Sequence, residues 1–141
     1  MAPVEPARPD DALPGLLPPF DIQAAVARIG KPMLVRKLML GFRDLYENAG
    51  QELREHIANG RAEDCERLGH SLKSVAAMLE ARSLAEAASA VEIAFRSGET
   101  ADLDWLIENL ERALAPAIAA ANSLDRKPEA PFEPSTELAL L

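Results

Sequence analysis

The stretch Cys65-Glu66-Arg67-Leu68-Gly69-His70-Ser71-Leu72-Lys73-Ser74-Val75-Ala76-Ala77-Met78-Leu79 decides the fold. Cys65, Leu68, Leu72, Ala76 and Leu79 recur at steps of three and four, the spacing of one apolar stripe along an α-helix. At about 100° of turn per residue, all of them fall within about 40° of Leu72. On the same wheel His70 lies about 160° from Leu72, so its ring is expected in solvent while Cys65 points inward. A helix with one apolar face must bury it against others, and the flanking sequence supplies them.

Upstream, Asp21 is placed to cap a short helix through Ile29, with Gly30 closing it. Pro32 suits the first turn of the next helix, whose apolar stripe is read as Leu34, Leu38, Phe42, Leu45 and Ala49. The stripe re-phases after Gly50 to Leu53 and Ile57, which predicts a kink or short break near Gly50 and a stop at Asn59-Gly60. Downstream, Ser83 is expected to cap a helix that turns Leu84, Ala87, Ala88, Val91 and Phe95 inward and ends at Gly98. Asp102 is expected to cap a last helix with Leu103, Leu106, Leu110, Leu114 and Ala117 inward, kinked at Pro116 because proline lacks the N–H that bonds four residues back. Short links make consecutive helices antiparallel neighbours. The expected fold is all-α: an antiparallel up-down-up-down four-helix bundle with a short extra N-terminal helix.

Composition agrees. The chain has 141 residues, 48 % hydrophobic and only 4 % aromatic, enough for one domain with a helical, alanine-rich core. Nine of its 11 prolines lie in residues 1–19 or 128–134. This divides the chain into a flexible proline-rich linker (1–19), a helical bundle (20–124) and a flexible tail (125–141). The net charge of −8 argues against nucleic acid and against an anionic membrane surface as partners. A single cysteine, no basic-then-apolar leader and no long apolar run give the cytoplasm as the expected compartment.

Little conventional catalytic machinery is available. The seven glycines are isolated, so no Gly-rich loop offers a nucleotide its phosphate cradle. Cys65 reads as a small buried hydrophobe. No Glu-x-x-His occurs on these helices, and Cys65 and His70 point opposite ways, so a metal site is not expected. His56 has no supporting motif. Trp105 lies about 160° from the stripe of its helix and either caps the bundle end or meets a partner. Met33, Leu40, Met78 and Ala77 either supply an apolar patch around the histidine suited to docking or are in part semi-buried. His70 is different. An exposed neutral imidazole is a nucleophile near neutral pH. Lys73, three residues on, can set an ammonium beside a phosphoryl group there, and Ser74 is small enough to leave access. An ordinary solvated face would show the same residues.

The stretch Leu68 to Leu79 resembles the signature of histidine-containing phosphotransfer domains, H-x-x-K-G followed by small residues and a leucine. Leu13-Pro14-Gly15, Asp21-Ile22, Arg36-Lys37-Leu38 to Phe42 and Leu84 to Gly98 are also similar, so the resemblance covers about residues 13–124. It implies that His70 is the phosphoacceptor, taking a phosphoryl group from a receiver-domain aspartate of a response regulator and passing it to another receiver aspartate. It further implies that Lys73 gives electrostatic support and Ser74 gives access. The domain would need no cofactor of its own, Mg²⁺ being supplied by the receiver, and would act as a monomeric carrier without an ATP site. Ser74 and Glu80 stand where the family has, or often has, glycine; the first bears on docking, and the second suggests a looser turn into the following helix. Glu92 and Arg96 either face the His70 groove or are solvated charges. The N-terminal linker suggests a piece of a hybrid histidine kinase. The competing readings are an interaction module that binds receiver or kinase domains without transfer, and a metal- or cofactor-binding helical bundle.

Overall fold

The computed structural model describes residues 13–125, so residues 1–12 of the expected linker and 126–141 of the expected tail lie outside the described residues. The described residues form six α-helices: α1 (Ile22–Ile29), α2 (Pro32–Tyr46), α3 (Ala49–Ala58), α4 (Ala62–Met78), α5 (Arg82–Ser97) and α6 (Leu103–Leu124). α4 packs chiefly on α5 and α5 on α6, while α2 and α3 both reach α6, α3 also packs on α4, and α1 lies on α2. No helix among the described residues is long and apolar enough to cross a membrane.

Local chemistry sets the helix ends. The Asp21 carboxylate accepts from the Ala24 N–H at 3.1 Å, and Gly30 closes α1 in the left-handed conformation at φ 98°. Pro32 opens α2. Gly60, at φ 70°, ends α3 with the Arg61 N–H returned to the His56 carbonyl at 2.8 Å. Asp102 occupies the first cap position of α6, but its carboxylate makes no capping bond. α6 continues through Pro116, which lies on its exposed side.

The core confirms the stripe of α4: Cys65, Leu72, Ala76 and Leu79 are buried and Leu68 is half-buried against them. α2 departs from expectation. Val35, Met39, Phe42 and Tyr46 face the core, whereas Leu34 and Leu45 are 41 % and 66 % exposed. Apolar residues cover more than half of this helix, so spacing alone admits two arcs. Its neighbours choose between them. The Phe20 ring stands edge-on to Phe42 with centroids 5.9 Å apart. Arg36 donates to the Leu124 carbonyl at 2.7 Å, and Arg43 pairs with Asp125 at 3.1 Å, which orients α2 on the end of α6.

The break expected near Gly50 falls earlier, at Glu47-Asn48, and Gly50 is buried inside α3. A Cβ on Gly50 would come within 2.6 Å of the Glu111 side chain, so a larger residue there would have to displace the carboxylate that Arg54 grips through two N–H bonds of 2.6 and 3.0 Å. Ahead of α1, Leu13 and Leu17 pack against the core, so contact with the bundle begins before residue 20.

The turn from α4 to α5 is tight, not loose. Glu80 takes the left-handed conformation at φ 59°, its N–H bonds the Ala77 carbonyl, and the Ala81 N–H returns to Ala76 at 2.8 Å. Ala81 then opens α5 at Arg82, so Ser83 lies in the first turn and does not cap it. A side chain at that φ costs about 1 kcal/mol relative to glycine. The Arg28–Glu80 pair at 2.6 Å repays only part, because Arg28 is largely exposed. Glu80→Gly is therefore expected to raise the midpoint of thermal unfolding by about 3 °C.

Candidate functional site

α4 and α5 approach closely beside His70. Gly69 is buried between them, and a Cβ there would meet Glu92 N at 3.0 Å and the Ala88 carbonyl at 3.2 Å. The absence of a side chain at Gly69 lets the α5 backbone come close enough for Glu92 to reach beneath the histidine one residue on.

Glu92 is the one buried charged residue among the described residues, its side chain 3 % exposed. Three cationic or ring nitrogens converge on it. His70 Nδ1 is 2.8 Å from Oε2, Lys73 Nζ is 2.7 Å from Oε1, and the Arg96 guanidinium bonds Oε2 from one turn further along α5. Lys73 meets Oε1 outside hydrogen-bond angles, so that contact is an ion pair rather than a directed bond. The Lys73 ammonium above all, helped by His70 and Arg96, holds the Glu92 carboxyl down at about 2, against the upward push of burial.

This settles the proton on the ring. An ionised carboxylate only accepts, so Nδ1 must donate to it, and in the neutral imidazole Nε2 keeps the lone pair. The His70 side chain is 60 % exposed, which leaves the far side of the ring open to solvent. The depressed carboxyl also fixes a pH dependence. Glu92 contributes stability that is complete above its ordinary 4.5 and is lost as pH falls toward about 2. Urea unfolding at successive pH values is expected to show a stability loss across that window in the native chain and a flatter profile in Glu92→Gln.

Each residue singled out from sequence has a definite place. His70 projects outward and Cys65 is buried with its thiol pushed up, first by burial and then by Asp64, so it is no thiolate nucleophile. The Lys73 ammonium lies on Glu92 rather than free beside the ring. The Ser74 hydroxyl donates to the His70 carbonyl at 3.0 Å, so it folds back on its own helix instead of projecting. Ala77, two turns beyond His70 on the same face, is small and exposed. Met33 and Met78 are exposed and Leu40 is half-buried. Trp105 is 57 % exposed and lines a shallow groove with Ala90, Ile93 and Leu106. Among the described residues no three His, Cys, Asp or Glu side chains gather as a metal site would require.

Sequence reasoning left Glu92 undecided and treated Gly69 only as an isolated glycine. The available signal was positional: Glu92 lies one turn after Ala88, on the buried side of α5, so a solvated carboxylate there was the less consistent choice.

The arrangement is an exposed histidine ring held against a buried carboxylate on a helical scaffold. A family model described as Hpt domain matches residues 37–126, more than half of the chain. The chain belongs to the Hpt domain family, whose members carry out histidine phosphotransfer in two-component systems and interact there with receiver domains. Neither the curated proteins nor the solved structures yielded a match.

Proposed function

We propose that this domain is a phosphorelay intermediate in which His70 takes a phosphoryl group from the aspartyl phosphate of one receiver domain and passes it to the aspartate of another. The observation that carries the reading is the ionised, buried Glu92 on Nδ1, which leaves the exposed Nε2 as the nucleophilic nitrogen. In the step, the Nε2 lone pair forms the N–P bond while the P–O bond to the receiver aspartate breaks and that carboxylate leaves with the electron pair. The ring gains positive charge and Nδ1 keeps its proton, so no proton has to move. Glu92 stabilises the charge as it develops, which is where an oriented carboxylate contributes most. The reverse step delivers the group to the next receiver.

Lys73 supports the transfer electrostatically. Its ammonium has three donors, and the contact with Glu92 leaves others for the phosphoryl oxygens. Ser74 and Ala77 keep the face around His70 low enough for a receiver to seat its aspartate. Mg²⁺ and most of the transition-state stabilisation come from the receiver, and the domain carries no cofactor of its own. On this reading the scaffold is an antiparallel up-down-up-down four-helix bundle with α1 as the short extra N-terminal helix, α4, α5 and α6 packing in sequence while α2 and α3 both reach α6.

The test is to incubate the domain with a receiver carrying labelled phosphate, and then to add a second, unlabelled receiver. The label should move to this chain in an acid-labile, alkali-stable form and then be discharged. Binding of receivers without any label transfer would favour a pure interaction module.

A further inference from the structure

The carboxylate beneath His70 creates two opposed demands. It must be charged to hold the proton on Nδ1, yet a negative charge 2.8 Å from the ring favours the imidazolium, whose Nε2 has no lone pair to offer. Cations that share the carboxylate relieve this conflict. Lys73 occupies Oε1, but its ammonium also serves the incoming phosphoryl group. Arg96 occupies Oε2, the same oxygen that His70 uses. It is held there from the far side by Glu66, whose Oε2 lies 3.4 Å from Arg96 Nε and which stands one turn before His70 on α4. Among the described residues the charged groups of this cluster are Lys73 from α4 and Arg96 from α5 on the Glu92 carboxylate, with Glu66 from α4 on Arg96. Arg67, also one turn before His70, is paired with Asp64 at 2.9 Å, and neither α3 against α4 nor α6 against α5 contributes an ion pair to the cluster.

We propose that Arg96 is a positioning residue which, acting through the Glu92 oxygen it shares with His70, offsets the carboxylate's charge and keeps the His70 ring in its neutral, nucleophilic form near neutral pH. The inference rests on the reading of His70 as the nucleophile, but its test does not need phosphoryl transfer. Because Arg96 is 56 % exposed, solvent screens its effect, and the effect should weaken as salt is added.

Diethyl pyrocarbonate acylates only unprotonated imidazole, so its rate of reaction at each pH reports the reactive fraction of the ring. The reaction is followed on the full chain, with peptide mapping to separate His70 from His56. In Arg96→Gln the acid limb of the His70 profile should move to higher pH, and low salt should enlarge the shift. Arg96→Lys should restore the native profile, and Glu92→Gln should move the limb the opposite way. A purely structural role would scale the rates at all pH values without moving the limb. An Arg96→Gln profile that superimposes on the native one, or moves to lower pH, overturns the proposal. Failure of receiver-to-His70 transfer would leave these profiles unchanged and so would tell against the relay reading alone.

Discussion

Replacing His70 with Gln is expected to abolish acid-labile phosphorylation of this domain by a phosphorylated receiver, with residual transfer below about one part in a thousand. Nucleophilic catalysis has no substitute here. An amide nitrogen has no available lone pair for attack on phosphorus, and the remaining histidine, His56, is half-buried on α3, on a different helix from His70. The loss should be chemical and not structural. The His70 side chain is largely solvent-exposed, and a Gln amide can still donate toward Glu92, so stability should stay within about 0.5 kcal/mol of native. The measurements are label transfer and thermal unfolding on the same preparation, and only the first should change.

Gly69→Val should do the opposite, damaging the scaffold and the site together. A Cβ at Gly69 already sits 3.0 Å from Glu92 N and 3.2 Å from both the Ala88 carbonyl and Glu92 Cα. These are backbone atoms of α5, so no rotamer change relieves the contact, and valine adds two further methyl groups. Overpacking of this kind costs about 3 kcal/mol, which lowers the unfolding midpoint by on the order of 10 °C. Gly69→Ala is milder, since alanine gains about 1 kcal/mol of helix propensity against a smaller clash. Because the displaced backbone is that of Glu92 itself, the bond to His70 Nδ1 should lengthen in the valine variant. Transfer by the fraction that remains folded should then slow by about tenfold.

These expectations rest on features that were unequally legible in the sequence. The helix ends were readable where one residue does the work: Asp21, Gly30, Pro32 and Gly60 each act through their own backbone or side-chain chemistry. The inward stripe of α4 and the outward His70 followed from helical spacing alone, because that helix has a single apolar arc. α2 has two, and only its contacts with Phe20 and the end of α6 choose Val35, Met39 and Tyr46 over Leu34 and Leu45. The break expected near Gly50 lies just ahead of it, at Glu47-Asn48, because a glycine buried inside a helix looks the same in sequence as one that ends a helix. The turn at Glu80 was misjudged because a non-glycine residue in the left-handed conformation is held by its neighbours' hydrogen bonds, not by its own preference.

The site divides the same way. His70, Lys73 and Ser74 lie within five residues on one helix, so their relation is local and periodicity exposes it. Glu92 comes from another helix, and its closeness depends on Gly69 across the contact. Neither residue signals the other along the chain. The partnership becomes visible only when α4 and α5 are packed, and it is this partnership that turns Nδ1 of the ring to Glu92 and leaves the other nitrogen to solvent.

Which nitrogen carries the phosphoryl group is therefore the most direct test. After labelling from a phosphorylated receiver, ¹⁵N–³¹P coupling in the histidine-labelled domain identifies the bonded nitrogen. Phosphorus on Nε2 of His70, with Nδ1 still protonated against Glu92, is the predicted result. Phosphorus on Nδ1, or on any residue other than His70, would contradict it.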